Sequence, residues 1–136
     1  MEIRTATADD LDAVVDLWSR EGGPTSMPCG HDEAAVLLRR DPDALLVAYD
    51  DRGLVGTLIV GWDGWRCHLY RLVVERRCRR QGIATRLVDD AKRRARALGA
   101  GKLEALIALE NTPAIEFWVR QDLVRDDGTG RWTIRL

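Results

Sequence analysis

The chain has 136 residues, of which 46 % are apolar and 32 % charged, with a formal net charge of −1. That length suits one domain with a real core, spanning 1–136, and the composition excludes a disordered or fibrous chain. No apolar run approaches the length of a membrane span, and Met1-Glu2-Ile3-Arg4 opens directly into a strand pattern without a signal peptide, so a cytoplasmic protein with no membrane partner is expected.

The near-zero charge hides an uneven spread. Asp9, Asp10, Asp12, Asp16, Glu21, Asp32, Glu33, Asp41, Asp43, Asp50 and Asp51 crowd the first part, while Arg76, Arg77, Arg79, Arg80, Arg86, Lys92, Arg93, Arg94 and Arg96 crowd the middle. The basic part suits a polyanion and the acidic part a cation, although a solvated helix face also accounts for Lys92 to Arg96. Cys29, Cys67 and Cys78 show no C-x-x-C spacing and leave one thiol over in any pairing, so reduced cysteines and no metal site are expected.

In chain order, Glu2 to Ala6 reads as a strand, and Thr7 or Asp9 can cap a helix with Leu11, Val14, Val15 and Trp18 on one stripe. The irregular stretch Glu21 to Gly30 follows, and then a short helix capped by Asp32, with Val36, Leu37 and Leu38, stopped at Asp41-Pro42. Leu45 to Tyr49 and Leu54 to Gly61 form a hairpin around Asp50-Asp51-Arg52-Gly53. Trp62-Asp63-Gly64-Trp65 turns the chain into His68 to Val74, an alternating run rich in aromatic and β-branched residues that reads as a central strand. Lys102 to Leu109 is a further strand, and Glu110-Asn111-Thr112-Pro113 opens a helix buried through Ala114, Ile115, Phe117, Trp118 and Leu123. Val124-Arg125 and Trp132 to Leu136, around Asp126 to Gly130, close with a hairpin, with Trp18 and Trp132 in the core. This order is a mixed α/β pattern rather than a regular βα alternation.

The informative stretch is His68 to Leu98. Ile83, Leu87, Val88, Ala91, Ala95 and Leu98 mark one helix face, Gly99 supplies a stop, and the residues from Arg76 to Gly82 are a basic loop leading into that helix. The first amides of such a helix lack intrahelical partners, Gly82 permits close approach, and the helix dipole and Arg77, Arg79 and Arg80 act on the same negative charge. Phosphate is the natural guest. Neither the dinucleotide fingerprint nor the nucleoside-triphosphate loop occurs. The string Arg79-Arg80-Gln81-Gly82-Ile83-Ala84 instead resembles the R/Q-x-x-G-x-G/A acyl-CoA signature of the GNAT superfamily of N-acetyltransferases. Leu72-x-Val74 before it and Asn111-x-x-Ala114-x-x-Phe117-Trp118 after it resemble the family's cofactor strand and its N-x-x-A-x-x-F-Y helix.

The resemblance implies a single central, mostly antiparallel twisted sheet of six to seven strands, flanked by about four helices and splayed between its fourth and fifth strands. It implies acetyl-CoA as co-substrate, with backbone groups of Leu72, Val73 and Val74 beside a bulge facing the pantetheine arm and thioester. The pyrophosphate would then lie on the amides of Arg80, Gln81, Gly82, Ile83, Ala84 and Thr85, with Arg79 in the signature and Asn111 beside the pantetheine. Strand alternation puts His68, Tyr70 and Leu72 on one face. The family's catalytic glutamates fall at the positions of His68 and Tyr70; imidazole can accept a proton at neutral pH, and Glu104 on the next strand is the carboxylate candidate. Trp118 stands where the family usually has a Tyr that protonates the departing thiolate, and indole cannot do so. Tyr70 or water then takes that task. Asp122-Leu123 likewise replaces the Gly-Phe that often ends the helix.

Trp62, Asp63 and Trp65 fit either an acceptor pocket for a cationic amine or hairpin packing. The resemblance implies that the Glu21 to Gly30 stretch contributes to the acceptor pocket, which would turn Cys29 or the adjoining His31 toward substrate, and a plain surface connection accounts for the stretch at least as well. The expected activity is transfer of an acetyl group from acetyl-CoA to a primary amine, small or peptidic, by direct attack in a ternary complex, with Cys67 and Cys78 keeping an acyl-enzyme route open. A non-catalytic acyl-CoA binding module is the alternative. Nucleic-acid binding is not expected, because no aromatic stacking platform accompanies the basic loop. A final edge strand would permit a homodimer.

Overall fold

The computed structural model describes residues 1–23 and 29–136. They divide into two compact units, Met1–Leu106 and Ile107–Leu136. The first unit holds a five-stranded sheet in sequential order, built of β1 (Glu2–Thr5), β2 (Leu45–Asp50), β3 (Gly53–Trp62), β4 (Cys67–Val74) and β5 (Leu103–Ala105). All neighbours are antiparallel except β4 and β5, which are parallel. Three helices accompany the sheet: α1 (Leu11–Glu21), α2 (His31–Arg40) and α3 (Ile83–Leu98).

Side chains of adjacent residues on a strand point to opposite faces, and that rule sorts the helices. Thr57 on β3 meets Trp18 of α1, whereas a Cβ placed on Gly56 would lie 3.1 Å from Ile83 and 3.2 Å from Leu87 of α3. The two helices therefore cover opposite faces. With both faces covered, β2 and β3 read as continuous apolar runs: Leu45, Val47 and Ile59 pack with Leu11, Val14, Leu17 and Trp18, while Leu46, Ala48, Leu58 and Val60 are buried on the other side. The absent side chain at Gly56 seats the start of α3 directly on the sheet. The buried stripe of α1 includes Leu17 rather than Val15.

The helix ends are set by local chemistry. Gly30 N–H donates to the Glu33 carboxylate to open α2, so the cap is Gly30 rather than Asp32. Val36 is exposed, and Ala34 is the buried residue of that helix. Gly99, at a φ of 85°, closes α3 with bonds from Gly99 N–H to Arg96 O and from Ala100 N–H to Ala95 O, the Schellman pattern. The second unit holds α4 (Thr112–Arg120), capped by Asn111, whose Oδ1 accepts from Ala114 N at 3.2 Å.

The sheet has five strands rather than six or seven, because the closing hairpin is not formed. Its turn exists, with Asp126 accepting from Gly128 N–H and Thr129 Oγ1. Its arms do not pair: the first is only Val124-Arg125, and a lone two-stranded hairpin is marginal in water. Val124, Trp132 and Ile134 are exposed, so Trp132 is not a core residue, and the edge strand on which a homodimer was expected is absent. Trp118 is buried in α4, but Ala114, Ile115, Phe117 and Leu123 are only partly so. No helix among the described residues is long and apolar enough to cross a membrane.

A charged clasp joins β1 and β2 to the start of α1. Asp10, 4 % exposed, receives both Arg4 Nη atoms at 2.7 and 2.9 Å, the Tyr49 hydroxyl at 2.6 Å and the Thr7 N–H at 2.7 Å. Arg4, then the Thr7 amide and the Tyr49 hydroxyl, hold the Asp10 carboxyl well below the usual carboxylate range, and burial together with Asp10 pushes Tyr49 up to about 12. A depressed carboxyl stabilises the fold fully above its unfolded value near pH 4, and the contribution fades as pH falls further. Asp10→Asn should therefore cost about 2 kcal/mol in denaturant unfolding at pH 7 and much less at about pH 2; an equal loss at both would assign the effect to packing.

Candidate active site

The basic loop is shaped by its own main chain. A short 3-10 turn at Arg76–Cys78 leads to Arg80 at a φ of 62° and Gly82 at 81°, both left-handed. Alternating handedness folds successive amides toward a common point, and the first turn of α3 begins immediately afterwards at Ile83, Ala84 and Thr85. Ile83 is buried and anchors that turn, while a Cβ at Gly82 would meet nothing within 4 Å. The space over the Gly82 backbone is open, as an anion resting on amides requires.

The arginines divide their work. Arg77 is committed to Asp50 at 3.0 Å and Glu75 at 3.1 Å. Arg79 donates to the Val74 carbonyl at 3.1 Å and pairs with Glu21 at 3.1 Å, which ties the loop back to the end of β4. Gln81 Nε2 donates to the Arg77 carbonyl. Arg80 is exposed and makes no ion pair among the described residues. Of the three arginines expected around an anion, Arg77 is thus a loop brace.

The central strand carries one residue too many. Tyr70 pairs with Ile59 and Val73 with Thr57, so Arg71 and Leu72 bulge out between them, and Arg71 takes a φ of 52°. The bulge corrects the expected facing: His68 and Tyr70 share a face, but Val73 rather than Leu72 continues it. On the other edge, β5 pairs only along Cys67, His68 and Leu69, so the splay begins at Tyr70 and β5 is far shorter than Lys102 to Leu109.

On the face of His68 and Tyr70 lies a cavity of about 330 Å³, lined also by Leu37, Arg40 and Asp41 from α2 and its end, by Ala44, by Gly61 and Trp62 from β3, and by Asp63 just after it. Gly61 makes room for the Tyr70 ring, since a Cβ there would lie 3.2 Å from Tyr70 Cε2. The rings of His68 and Tyr70 stack at 6.0 Å. Parallel pairing sets Glu104 beside His68, with Oε2 3.4 Å from Nδ1, within ion-pair reach but long for a hydrogen bond. Lys102, 3.0 Å away, and then the imidazole keep the Glu104 carboxyl below its ordinary range. Asp63 is held low by the backbone N–H groups of Arg66 and Trp65 that it accepts.

Other candidates lie elsewhere. Trp65 is exposed beneath the Arg66 guanidinium, 4.4 Å from its ring, and is not among the cavity residues. Cys29 packs against the core and His31 sits 3.4 Å from Asp12, neither of them on the cavity; 24–28 fall outside the described residues. Cys67 and Cys78 are buried, and burial pushes both thiols up, which leaves them poor nucleophiles. Arg94 is no solvated helix residue: its side chain is 16 % exposed and bonds Asp41 at 2.6 Å. Asn111 belongs to the second unit, where it caps α4, and Trp118 lies in that helix against Phe117. Sequence reading missed Leu37, Asp41 and Gly61 at the cavity, and the one available signal was the glycine.

The sequence model of the Acetyltransferase (GNAT) family matches residues 11–122. An acetyltransferase of Pectobacterium atrosepticum is 33 % identical over 117 residues, covering 85 % of this chain and 82 % of that protein. Among solved structures, Ard1 from Thermoplasma volcanium superposes with a TM-score of 0.79 at 18 % identity, covering 90 % of this chain and 82 % of its own. The aminoglycoside antibiotic 6'-N-acetyltransferase of Acinetobacter haemolyticus does so with a TM-score of 0.72 at 18 % identity, covering 100 % and 99 %. Such distant neighbours speak for the fold, whereas the family match spans most of the sequence and the Pectobacterium relative adds identity over nearly the same span: the chain belongs to the acetyltransferase (GNAT) family and is a transferase with that family's fold.

Proposed function

We propose that residues 1–136 form one N-acetyltransferase domain that moves an acetyl group from acetyl-CoA to a primary amine by direct attack with both substrates bound. The observation that carries this reading is the bulge at Arg71–Leu72, past which β4 has no β5 partner, one loop ahead of a helix that starts at a left-handed glycine. The open space over Gly82, the left-handed Arg80 and the dipole of α3 fit a pyrophosphate. The holding groups would be the amides from Arg80 to Thr85 with the Arg80 side chain beside them, while Arg79 and Gln81 brace the loop through Val74, Glu21 and the Arg77 carbonyl. The main chain of Leu72, Val73 and Val74 would serve the pantetheine arm. Acetyl-CoA supplies an activated thioester carbonyl.

The chain's own groups do the rest. Main-chain N–H groups at the bulge stabilise negative charge developing on the carbonyl oxygen. His68 accepts the proton of the acceptor ammonium, directly or through water, and the Glu104 carboxylate beside Nδ1 favours the orientation in which Nε2 faces the acceptor. Tyr70, stacked on His68, is placed to return a proton to the departing thiolate. The amine would enter the cavity past Trp62 and Asp63, an aromatic face and a fixed carboxylate that suit a cation. The buried cysteines favour direct transfer over an acyl-enzyme.

A binding module without catalysis is the second reading, favoured by indole at Trp118 in place of a phenol. Thiol release from acetyl-CoA across a panel of amines separates the two: the enzyme turns over with some amine, the module with none while still binding CoA. His68→Ala should lower kcat about a hundredfold and leave CoA affinity within about twofold; unchanged kcat would remove His68 from the reaction. Gly82→Ala should weaken CoA binding about tenfold and cost about 1 kcal/mol of stability, because alanine is strained at that φ and its methyl fills the anion's place. Unchanged CoA affinity in a folded Gly82→Ala protein would move the pyrophosphate elsewhere.

A further inference from the structure

Arg71 is an arginine in the left-handed region in the middle of a strand, a conformation costing about 1–2 kcal/mol. What holds it there is a buried polar relay. Thr57, fully buried on β3 in a run of apolar neighbours, donates from Oγ1 to the Arg71 carbonyl at 3.0 Å and accepts from Trp18 Nε1 at 2.9 Å. Indole N–H is a donor only, so it occupies a lone pair of the hydroxyl and leaves the hydroxyl proton for the carbonyl. The Arg71 guanidinium lies over the Trp18 ring at 5.2 Å and close to Gly22, where α1 ends.

The carbonyl of Arg71 and the N–H of Leu72 belong to one planar trans peptide unit and point in opposite directions. Drawing that carbonyl toward Thr57, on the α1 side of the sheet, turns the Leu72 N–H away from α1. It then points away from the Thr57 hydroxyl on β3, on a stretch of β4 past the end of β5 pairing. We propose that Thr57, braced by Trp18, is a positioning residue that aims the Leu72 amide at the thioester carbonyl oxygen. The inference rests on the acetyl-transfer reading and adds to it the device that orients the donor. A hydroxyl that merely satisfied an orphaned carbonyl would matter for stability alone, whereas a positioning group shows itself in the transition state.

The test follows the Leu72 amide by nitrogen-15 NMR as acetyl-CoA is added to the full chain, alongside steady-state kinetics with an amine the wild type accepts. Thr57→Val keeps the shape and removes the hydroxyl. It should abolish the Leu72 response and lower kcat by about thirtyfold to a hundredfold, with the acetyl-CoA KM within about threefold. Thr57→Ser should restore both to within about threefold of wild type. Should Thr57→Val fail to fold, Trp18→Phe, which takes the indole N–H from the relay together with part of the buried ring, should lower kcat about fivefold at constant KM, and the serine variant should remain active. A folded Thr57→Val protein with wild-type kcat or an unchanged Leu72 response overturns the proposal. So does a kcat loss that serine does not rescue, or one matched by an equal loss of acetyl-CoA affinity. A wild type that turns over no amine counts against the acetyl-transfer reading, and the Leu72 response, lost with valine and kept with serine, still decides the role of Thr57; no response in the wild type ends both.

Discussion

The surplus residue in β4 governs the site. A regular ladder would have carried β4 past Leu69 with a continuous partner and put His68, Tyr70 and Leu72 on one face. The bulge at Arg71–Leu72 breaks both patterns at one place. Below it, Cys67 and Leu69 are buried and Tyr70 shares its face with His68; above it, Val73 joins the core of α1. The strand thereby changes from a packing element to a boundary, with side chains offered to a cavity on one face and main-chain groups to an edge that β5 does not pair. An arginine at positive φ is a poor choice for such a position on backbone grounds. Its long side chain offsets this by lying over Trp18 at the end of α1, where the helix carbonyls favour a cation.

In the proposed reaction the two substrates make opposite electrostatic demands, which the chain would meet by element rather than by net charge. Around the start of α3 the positive field comes from main-chain amides and from Arg80, while Arg77 and Arg79 spend their charge on Asp50, Glu75 and Glu21. Those two arginines hold the loop in the conformation that presents the amides. On the other face, Asp63 is fixed by two backbone donors, and Asp41, neutralised in part by Arg94, closes the cavity beside it. A carboxylate held below its ordinary range stays charged across the neutral range, as the proposed amine site would need.

Much of this frame was legible in the sequence because it rests on local chemistry. The periodicity of Ile83, Leu87, Val88, Ala91, Ala95 and Leu98 and the flanking Gly82 and Gly99 marked α3 from end to end, since those glycines take the left-handed conformation that punctuates a helix. Asn111 and Pro113 marked the start of α4 through a side-chain cap and a proline suited to the first turn. What escaped depends on tertiary context. An insertion in a strand leaves no compositional trace, so the shift of Leu72 to the other face was invisible. β5 looked long because Lys102 to Leu109 has strand composition, but it extends only where β4 offers a ladder. The final hairpin had a sound turn and arms too short to pair. His68 and Glu104, picked separately, are neighbours through the parallel register of β4 and β5, which no spacing rule supplies.

That register bears on how one strand pair serves two purposes. β4 and β5 are parallel for three residue pairs, Cys67 with Leu103, His68 with Glu104 and Leu69 with Ala105. The outer pairs are partly or fully buried and hold the strands together, while the middle pair turns its side chains to the opposite face, where His68 borders the cavity. Glu104 is shared between His68 and the exposed Lys102, and the lysine competes with the imidazole for the same carboxylate. Lys102, and then the imidazole, hold the Glu104 carboxyl below its ordinary range, and His68 Nδ1 lies at 3.4 Å rather than in a short bond. An imidazole so placed has a carboxylate near enough to favour one ring orientation, yet no short charge-assisted bond binds it rigidly. The ladder that fixes this pair stops one residue later, so the end of the pairing sets both where His68 stands and where the strand edge opens.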